Sequence, residues 1–154
     1  MYADAHPRVG ALVAVQDTLG RVLLVWQTGG PFAGHWLLPG GSVERDEGIV
    51  AAAARELHEE TGLVLADARL VALYQVRSDP PGAYDIVLFL YAGSATGTLS
   101  AEPGSEATWW DPATLRDPHP ALRRELRDSG IGADDPATIA TALVTAGIAM
   151  ERLI

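Results

Sequence analysis

An α/β domain is the fold class this sequence predicts, on three observations. Short runs rich in Val, Leu, Ile and aromatic residues, such as "RVLLVWQ" and "YDIVLFLYAG", recur along the chain and are punctuated by Gly, Pro and Asp, the pattern of strands separated by turns. Between them lies an Ala-rich stretch with apolar residues at helical spacing. The chain has 154 residues, long enough for one domain with a proper core and too short for two ordinary ones, so residues 1–154 read as a single domain.

The elements follow in chain order. Val9 to Val15 is a short apolar run, "DTLG" supplies a turn, and "RVLLVWQ" follows at hairpin spacing, which predicts two strands. "TGGPFAGHW" is rich in Gly and Pro and reads as an irregular loop. "LLPGGSVERDE" then carries the chain from a short strand into a second loop. From Asp46 or Glu47 to Thr61 a helix is expected, because Val50, Ala53, Ala54 and Leu57 repeat at i, i+3, i+4 and i+7 and Gly62 supplies a stop. At about 100° per residue the apolar stripe centres near Val50 and Leu57, with Glu56, Glu59 and Glu60 bordering it.

"RLVALYQVRS" and "YDIVLFLYAG", joined by "DPPG", read as paired strands. A strand around Trp109 and Trp110 is followed by a Pro-initiated helix at "DPATL", and a further helix is expected from Pro120 to Asp128. Residues 128–154 read as a C-terminal helical extension: "DDP" is an N-cap signal, and Ile139, Leu143, Ala146 and Met150 fall on one side. A strand is the competing reading for its Thr, Val and Ile content. The segment is suited to packing on the body or on a second subunit, so a homodimer is a reasonable expectation.

Composition excludes several function classes. The longest apolar stretches are far below the roughly 20 residues of a membrane-spanning helix, and the first residues lack the pattern of a secretory leader. No membrane association is expected, and the cytoplasm is the default location. Cysteine is absent, which removes disulfides, thiolate metal sites and cysteine nucleophiles. A formal net charge of -9 opposes bulk nucleic-acid binding. All 11 basic residues are Arg, so the phosphate-loop lysine is absent while bidentate phosphate donors remain.

The acidic side of the helix poses the functional question. Glu56, Glu59 and Glu60 stand at i, i+3 and i+4, where like charges repel. Divalent cations would relieve that repulsion, since Mg²⁺ prefers hard oxygen ligands and binds through a few carboxylates together with water and substrate phosphate. Read as spacing, residues 41–63 place Gly41, Glu47, Arg55, Glu56, Leu57, Glu59, Glu60, Gly62 and Leu63 in a pattern that resembles the signature of the Nudix hydrolases without a departure. Chance agreement at one start is about one in 10⁸ at ordinary residue frequencies. The flanks "GHWLLPGG" and "EATWWDPATL" are similar to what members carry, so the resemblance spans roughly residues 9 to 126.

The resemblance implies an α/β/α sandwich with a mixed β-sheet. It also implies Mg²⁺-dependent (Mn²⁺ also considered) hydrolysis of a pyrophosphate bond in a nucleoside diphosphate linked to another moiety, with a small nucleotide as substrate. ADP-ribose-like compounds and nucleoside triphosphates are both expected substrate types; Pro80 and Pro81 lie near the position where some ADP-ribose-cleaving members carry a proline. The implied metal ligands are Glu56, Glu59 and Glu60, with the carbonyl of Gly40. Catalytic candidates are Glu56, Glu60 and Glu106, the general base being open between Glu56 and the loop glutamates Glu102 and Glu106. Gly41, Glu47, Arg55 and Gly62 read as supporting residues, Glu47 and Arg55 as an ion pair two helical turns apart. Arg77, Trp26 and Tyr84 are candidates for substrate contact, whereas His35 and His58 read as surface or packing residues. A noncatalytic nucleotide-binding or sensor module is the alternative, against which the intact glutamate set argues.

Overall fold

The computed structural model describes residues 6–100 and 103–154. Eight strands and three α-helices follow in the order β1 (Arg8–Val15), β2 (Val22–Gln27), β3 (His35–Leu37), β4 (Gly40–Ser42), α1 (Ile49–Thr61), β5 (Val64–Ser78), β6 (Asp85–Thr96), β7 (Ala107–Trp110), α2 (Pro120–Asp128), α3 (Pro136–Thr145) and β8 (Ile148–Arg152). Five strands form a sheet in the order β4-β1-β6-β5-β8 and three form a second in the order β3-β2-β7. In the larger sheet β1 runs parallel to β6, from Arg8 opposite Ile86 to Val15 opposite Gly93, and the other pairings are antiparallel, so the sheet is mixed.

The alternation of side chains along a strand divides the core in two. Ala11, Val13 and Val15 of β1 meet Ala52, Ala53 and Leu57 of α1 on one face. Ala14 joins Tyr74, Leu88 and Leu90 against Leu122 and Leu126 of α2 and Ile139 and Leu143 of α3 on the other. Helices on both faces make the α/β/α sandwich that the family resemblance implied. β2 is inserted between the layers and sends Leu23 to one core and Val22 and Leu24 to the other, which is why its sequence is a continuous apolar run rather than an alternating one.

Several elements differ from the expectations. β1 and β2 stand at hairpin spacing but share only one bridge, Gln16 with Val22, before entering different sheets. α1 begins at Ile49, with Gly48 as N-cap, rather than at Asp46 or Glu47; Asp46 adopts a φ of 63°, which ends any helical continuation upstream. Its buried residues are Ala52, Ala53, Leu57 and Thr61, and Val50 is 47% exposed. The stripe is therefore rotated from Val50 toward the alanines, whose small side chains allow close approach to β1 and β4. Gly62 ends the helix in the left-handed conformation at φ 75°, as expected.

β5 and β6 pair over nearly their whole lengths, and β5 extends upstream to Val64, with register shifts between Leu65 and Asp67 and between Leu70 and Ala72. The Pro-initiated turn after β7 is a single 3₁₀ turn, Pro112–Thr114, capped by Asp111, while α2 spans the predicted residues. The helical extension expected over 128–154 is helical only at Pro136–Thr145. The chain turns at Gly147 (φ 70°) and adds β8 to the edge of β5, so Met150 lies opposite Val76 in the sheet instead of on the helix with Leu143. Among the described residues no helix is long and apolar enough to cross a membrane.

Candidate active site

The acidic cluster forms where α1 crosses the edge strand β4. Gly40 has φ 152°, and a Cβ there would run into the Ala11 carbonyl and Leu12, so the position excludes any side chain. Its N–H donates to Glu60 Oε1 at 2.8 Å. A Cβ on Gly41 would stand 2.6 Å from the Glu56 carboxyl carbon and Oε1. The two glycines thus make a bare strip of backbone on which two glutamate side chains of α1 rest.

Arg55 organises the rest. Its Nε and Nη2 donate to the two oxygens of Glu47 at 2.7 and 3.0 Å, a bidentate fork. Nη1 donates to Glu56 Oε1 at 3.1 Å and Glu59 Oε2 at 3.2 Å, and Nη2 also reaches the Ser42 carbonyl at 3.1 Å. The predicted Glu47–Arg55 pair therefore forms, but from the turn ahead of α1, since Glu47 is not helical. Its N-terminal neighbour Glu44 donates its backbone N–H to Glu47 Oε1.

Charge is unbalanced here. Glu44, Glu47, Glu56 and Glu59 surround one guanidinium, and Glu60 lies beside Gly40. Burial pushes the Glu60 carboxyl up to about 7, reinforced by Glu56 and Glu59 and opposed by the Gly40 N–H. Burial also raises Glu56, against the pull of Arg55. The hydrogen bonds from Arg55 lower Glu47, and the same contacts hold Arg55 in its cationic form. Among the described residues no three acidic side chains converge on one point: Glu56 and Glu59 lean to Arg55 and Glu60 to Gly40. An all-oxygen donor set with excess negative charge, held on a strip of bare glycine backbone, fits a hard divalent cation.

Glu106 precedes β7, where its carbonyl accepts the Trp26 N–H at 2.9 Å and its side chain is exposed; it has no described contact with the three glutamates. Glu102 lies outside the described residues. Trp26 packs edge-on against Trp36 at 5.5 Å, in the wall of a depression of about 440 Å³ shared with Trp110, His35 and His119. Arg77 is at the far end of β5, 3.8 Å from Glu151. Tyr84 packs edge-on against Phe32 at 5.6 Å. The structure thus gathers Gly40, Gly41, Glu47, Arg55, Glu56, Glu59 and Glu60, and leaves Trp26 and Arg77 at separate places.

A cavity of about 190 Å³ adjoins the cluster, walled by Gly40, Gly41 and Ser42 of β4 and by Leu12, Leu88 and Phe32. Glu125 of α2 also reaches it. Neither Phe32 nor Glu125 was singled out from the sequence, although Glu125 stands three residues after Leu122 on the apolar stripe of α2, a place where a carboxylate is unusual. A larger depression of about 740 Å³, bordered by Gln16, Asp111, Arg123 and Asp134, takes no wall from α1 or β4. Of the two, the smaller cavity is the one bordered by the strand on which Glu56 and Glu60 rest.

Comparison with known proteins agrees with this arrangement. The model of the NUDIX domain matches residues 6–129. An ADP-ribose pyrophosphatase of Methanocaldococcus jannaschii is 32% identical over 107 residues, 69% of this chain and 63% of that protein. A Bacillus subtilis protein with the provisional name 8-oxo-dGTP diphosphatase is 34% identical over 132 residues, 82% of each. The crystal structure of a MutT NUDIX hydrolase from Burkholderia pseudomallei superposes with a TM-score of 0.70 at 32% identity, covering 80% of this chain and 98% of that one. With well over half of its length matched and the glutamate helix, the glycine strip and the sandwich all in place, the chain belongs to the Nudix hydrolase family.

Proposed function

We propose that this chain hydrolyses the pyrophosphate bond of a nucleoside diphosphate linked to another moiety, an ADP-ribose-like compound or a nucleoside triphosphate, with Mg²⁺ or Mn²⁺, releasing a nucleoside monophosphate. The observation that carries the reading is the shared wall: the strand Gly40–Ser42 borders the cavity and also supports Glu56 and Glu60. A nucleotide seated in the cavity would present its phosphates at the acidic cluster.

Glu56, Glu59, Glu60 and the Gly40 carbonyl would hold the cation. When bound, it supplies charge neutralisation of the diphosphate and a lowered pKa for water. Arg55 holds Glu56 and Glu59 in place while Glu47 holds Arg55, the kind of outer support that orients ligand side chains. Glu56, partly buried and with its affinity for protons raised, accepts the proton of the attacking water. The water oxygen bonds to phosphorus, the bridging P–O bond breaks, and the leaving phosphate carries away the bond's electron pair. Glu106, outside the cluster, is the second candidate for the base. ADP-ribose and 8-oxo-dGTP are the first compounds to test, on the names of the two relatives.

A panel of nucleoside diphosphate derivatives and triphosphates assayed with Mg²⁺, with Mn²⁺ and with EDTA tests the reading. Turnover of at least one compound is expected, abolished by EDTA and reduced about 10² to 10⁴-fold by Glu60→Gln. Turnover of none would refute it and leave the nucleotide-binding module. Turnover indifferent to Glu60→Gln would remove Glu60 from the site.

A further inference from the structure

Glu125 is 2% exposed, and the other buried residues of α2 are Ala121, Leu122 and Leu126. Its carboxyl makes no hydrogen bond or ion pair with any described residue; the Ser129 N–H at 3.0 Å goes to its backbone carbonyl. A buried carboxyl without a partner is unfavourable by a few kcal/mol, and a leucine would continue the stripe at no such penalty. The neighbouring Asp128 does not serve as a partner, being engaged by Tyr74, Arg124 and Arg152. What Glu125 does reach is the cavity beside β4.

The cavity's shape limits what can occupy it. Gly10 forms part of its floor, and a Cβ there would stand 2.7 Å from Leu88 Cδ2, so the floor stays flat. Leu12, Leu88 and Phe32 supply apolar walls. At about 190 Å³ the space exceeds the roughly 150 Å³ in which a benzene ring is accommodated. A flat, apolar slot with one polar group suits a planar heterocycle that offers polar atoms along one edge.

We propose that Glu125 reads the nucleobase, its carboxyl pairing with a donor and an adjacent acceptor on the base edge while the phosphates run over Gly40 and Gly41 to the glutamates. The phosphate half of this placement rests on the function proposed above; the base half rests on the cavity and Glu125 alone. Burial pushes the carboxyl up to about 8, so at neutral pH it carries its proton and can donate through the hydroxyl while accepting at the carbonyl oxygen. A lactam edge, with N–H beside C=O, and an amidine edge, with a ring nitrogen beside NH₂, both match that pair.

The experiment separates the two readings. Binding of AMP, GMP, CMP and UMP is compared with ribose 5-phosphate in EDTA, using ligand-observed NMR, for the native protein, Glu125→Gln and Glu125→Leu, each checked for fold by circular dichroism. At least one monophosphate should bind about tenfold or more tightly than ribose 5-phosphate, Glu125→Leu should erase that margin, and Glu125→Gln, which presents the same donor and acceptor as the protonated carboxyl, should keep both the margin and the ranking of bases. With a turnover substrate, Glu125→Leu should raise KM about tenfold for the favoured base while kcat shifts far less. A role confined to structure would lower activity equally for all bases. A base margin that survives in Glu125→Leu, or no monophosphate bound better than ribose 5-phosphate, overturns the assignment. Loss of hydrolysis with base discrimination intact would instead overturn the function and leave Glu125 in its role. If Glu125→Leu does not fold, the pH profile decides: the native margin should weaken as pH rises through about 8 while that of Glu125→Gln holds, and identical profiles from pH 6 to 9 overturn the assignment.

Discussion

Glu125→Gln also changes how stability depends on pH, by an amount the structure sets. In the unfolded chain the carboxyl titrates at its ordinary value near 4.5, and in the folded protein burial, with a smaller contribution from Asp128, holds it protonated up to about 8. Below pH 4.5 both states carry the proton and the group has no influence. As pH rises toward 8 the unfolded state releases its proton while the folded state keeps it, so stability falls by about 1.4 kcal/mol per pH unit and levels off about 5 kcal/mol lower. That is a large part of the roughly 5 to 15 kcal/mol by which domains are stable. Glutamine has the same shape and no titration. Urea unfolding followed by the fluorescence of the four tryptophans, at pH 4, 5, 6, 7 and 8, should show the variant and native curves converging at acid pH up to a constant offset and separating steadily above it. Other groups titrate in both proteins and cancel in the difference. Curves that run parallel from pH 4 to 8 would refute the reasoning, because Glu125 would then be ionised or solvated in the folded state.

Three further outcomes follow from the same geometry. Gly41→Ala adds a methyl 2.6 Å from the Glu56 carboxyl; that end of the side chain must swing away, so kcat/KM should fall about 10 to 100-fold with little loss in thermal midpoint. Arg55→Lys keeps the charge and loses the fork on Glu47; titration with Mn²⁺ should show affinity weakened about 10 to 100-fold. His119 caps α2 by accepting the Ala121 N–H at Nδ1, and burial, then His35, lowers it to about 4. Its contribution to stability is full above the unfolded value of 6.5 and is lost as pH falls toward 4, about 3 kcal/mol in all. His119→Asn retains a capping side chain and should remove this acid limb from the urea series.

The acidic cluster was legible because its geometry is local. Glu56, Glu59 and Glu60 share one side of α1 through helical spacing alone, whereas the glycines before them read as turn residues and only the structure shows the strip of backbone they form. The helix end at Gly62 and all of α2 were equally readable, from a left-handed stop and a proline start. Even the Glu47–Arg55 pair was anticipated, although its geometry was not: Glu47 reaches Arg55 from a turn, because Asp46 departs from helical φ.

Tertiary structure decided the remainder. Nothing local in Val50 distinguishes it from Leu57, yet only Leu57 is buried, since the alanines set which side of α1 faces β1. The separation of β1 from β2 follows from their partners, β6 and β7, far along the chain. The C-terminal segment ends in a strand, the competing reading, because β5 leaves an edge with unpaired N–H and C=O groups; where helix gives way to strand is set by that edge and not by the segment's own residues. The cavity and Glu125 are the clearest case. Periodicity marks a carboxylate on an apolar stripe, but whether it meets a leucine, an arginine or an open slot depends on residues on distant strands, from Leu88 back to Gly10, and only the packed chain brings those surfaces together.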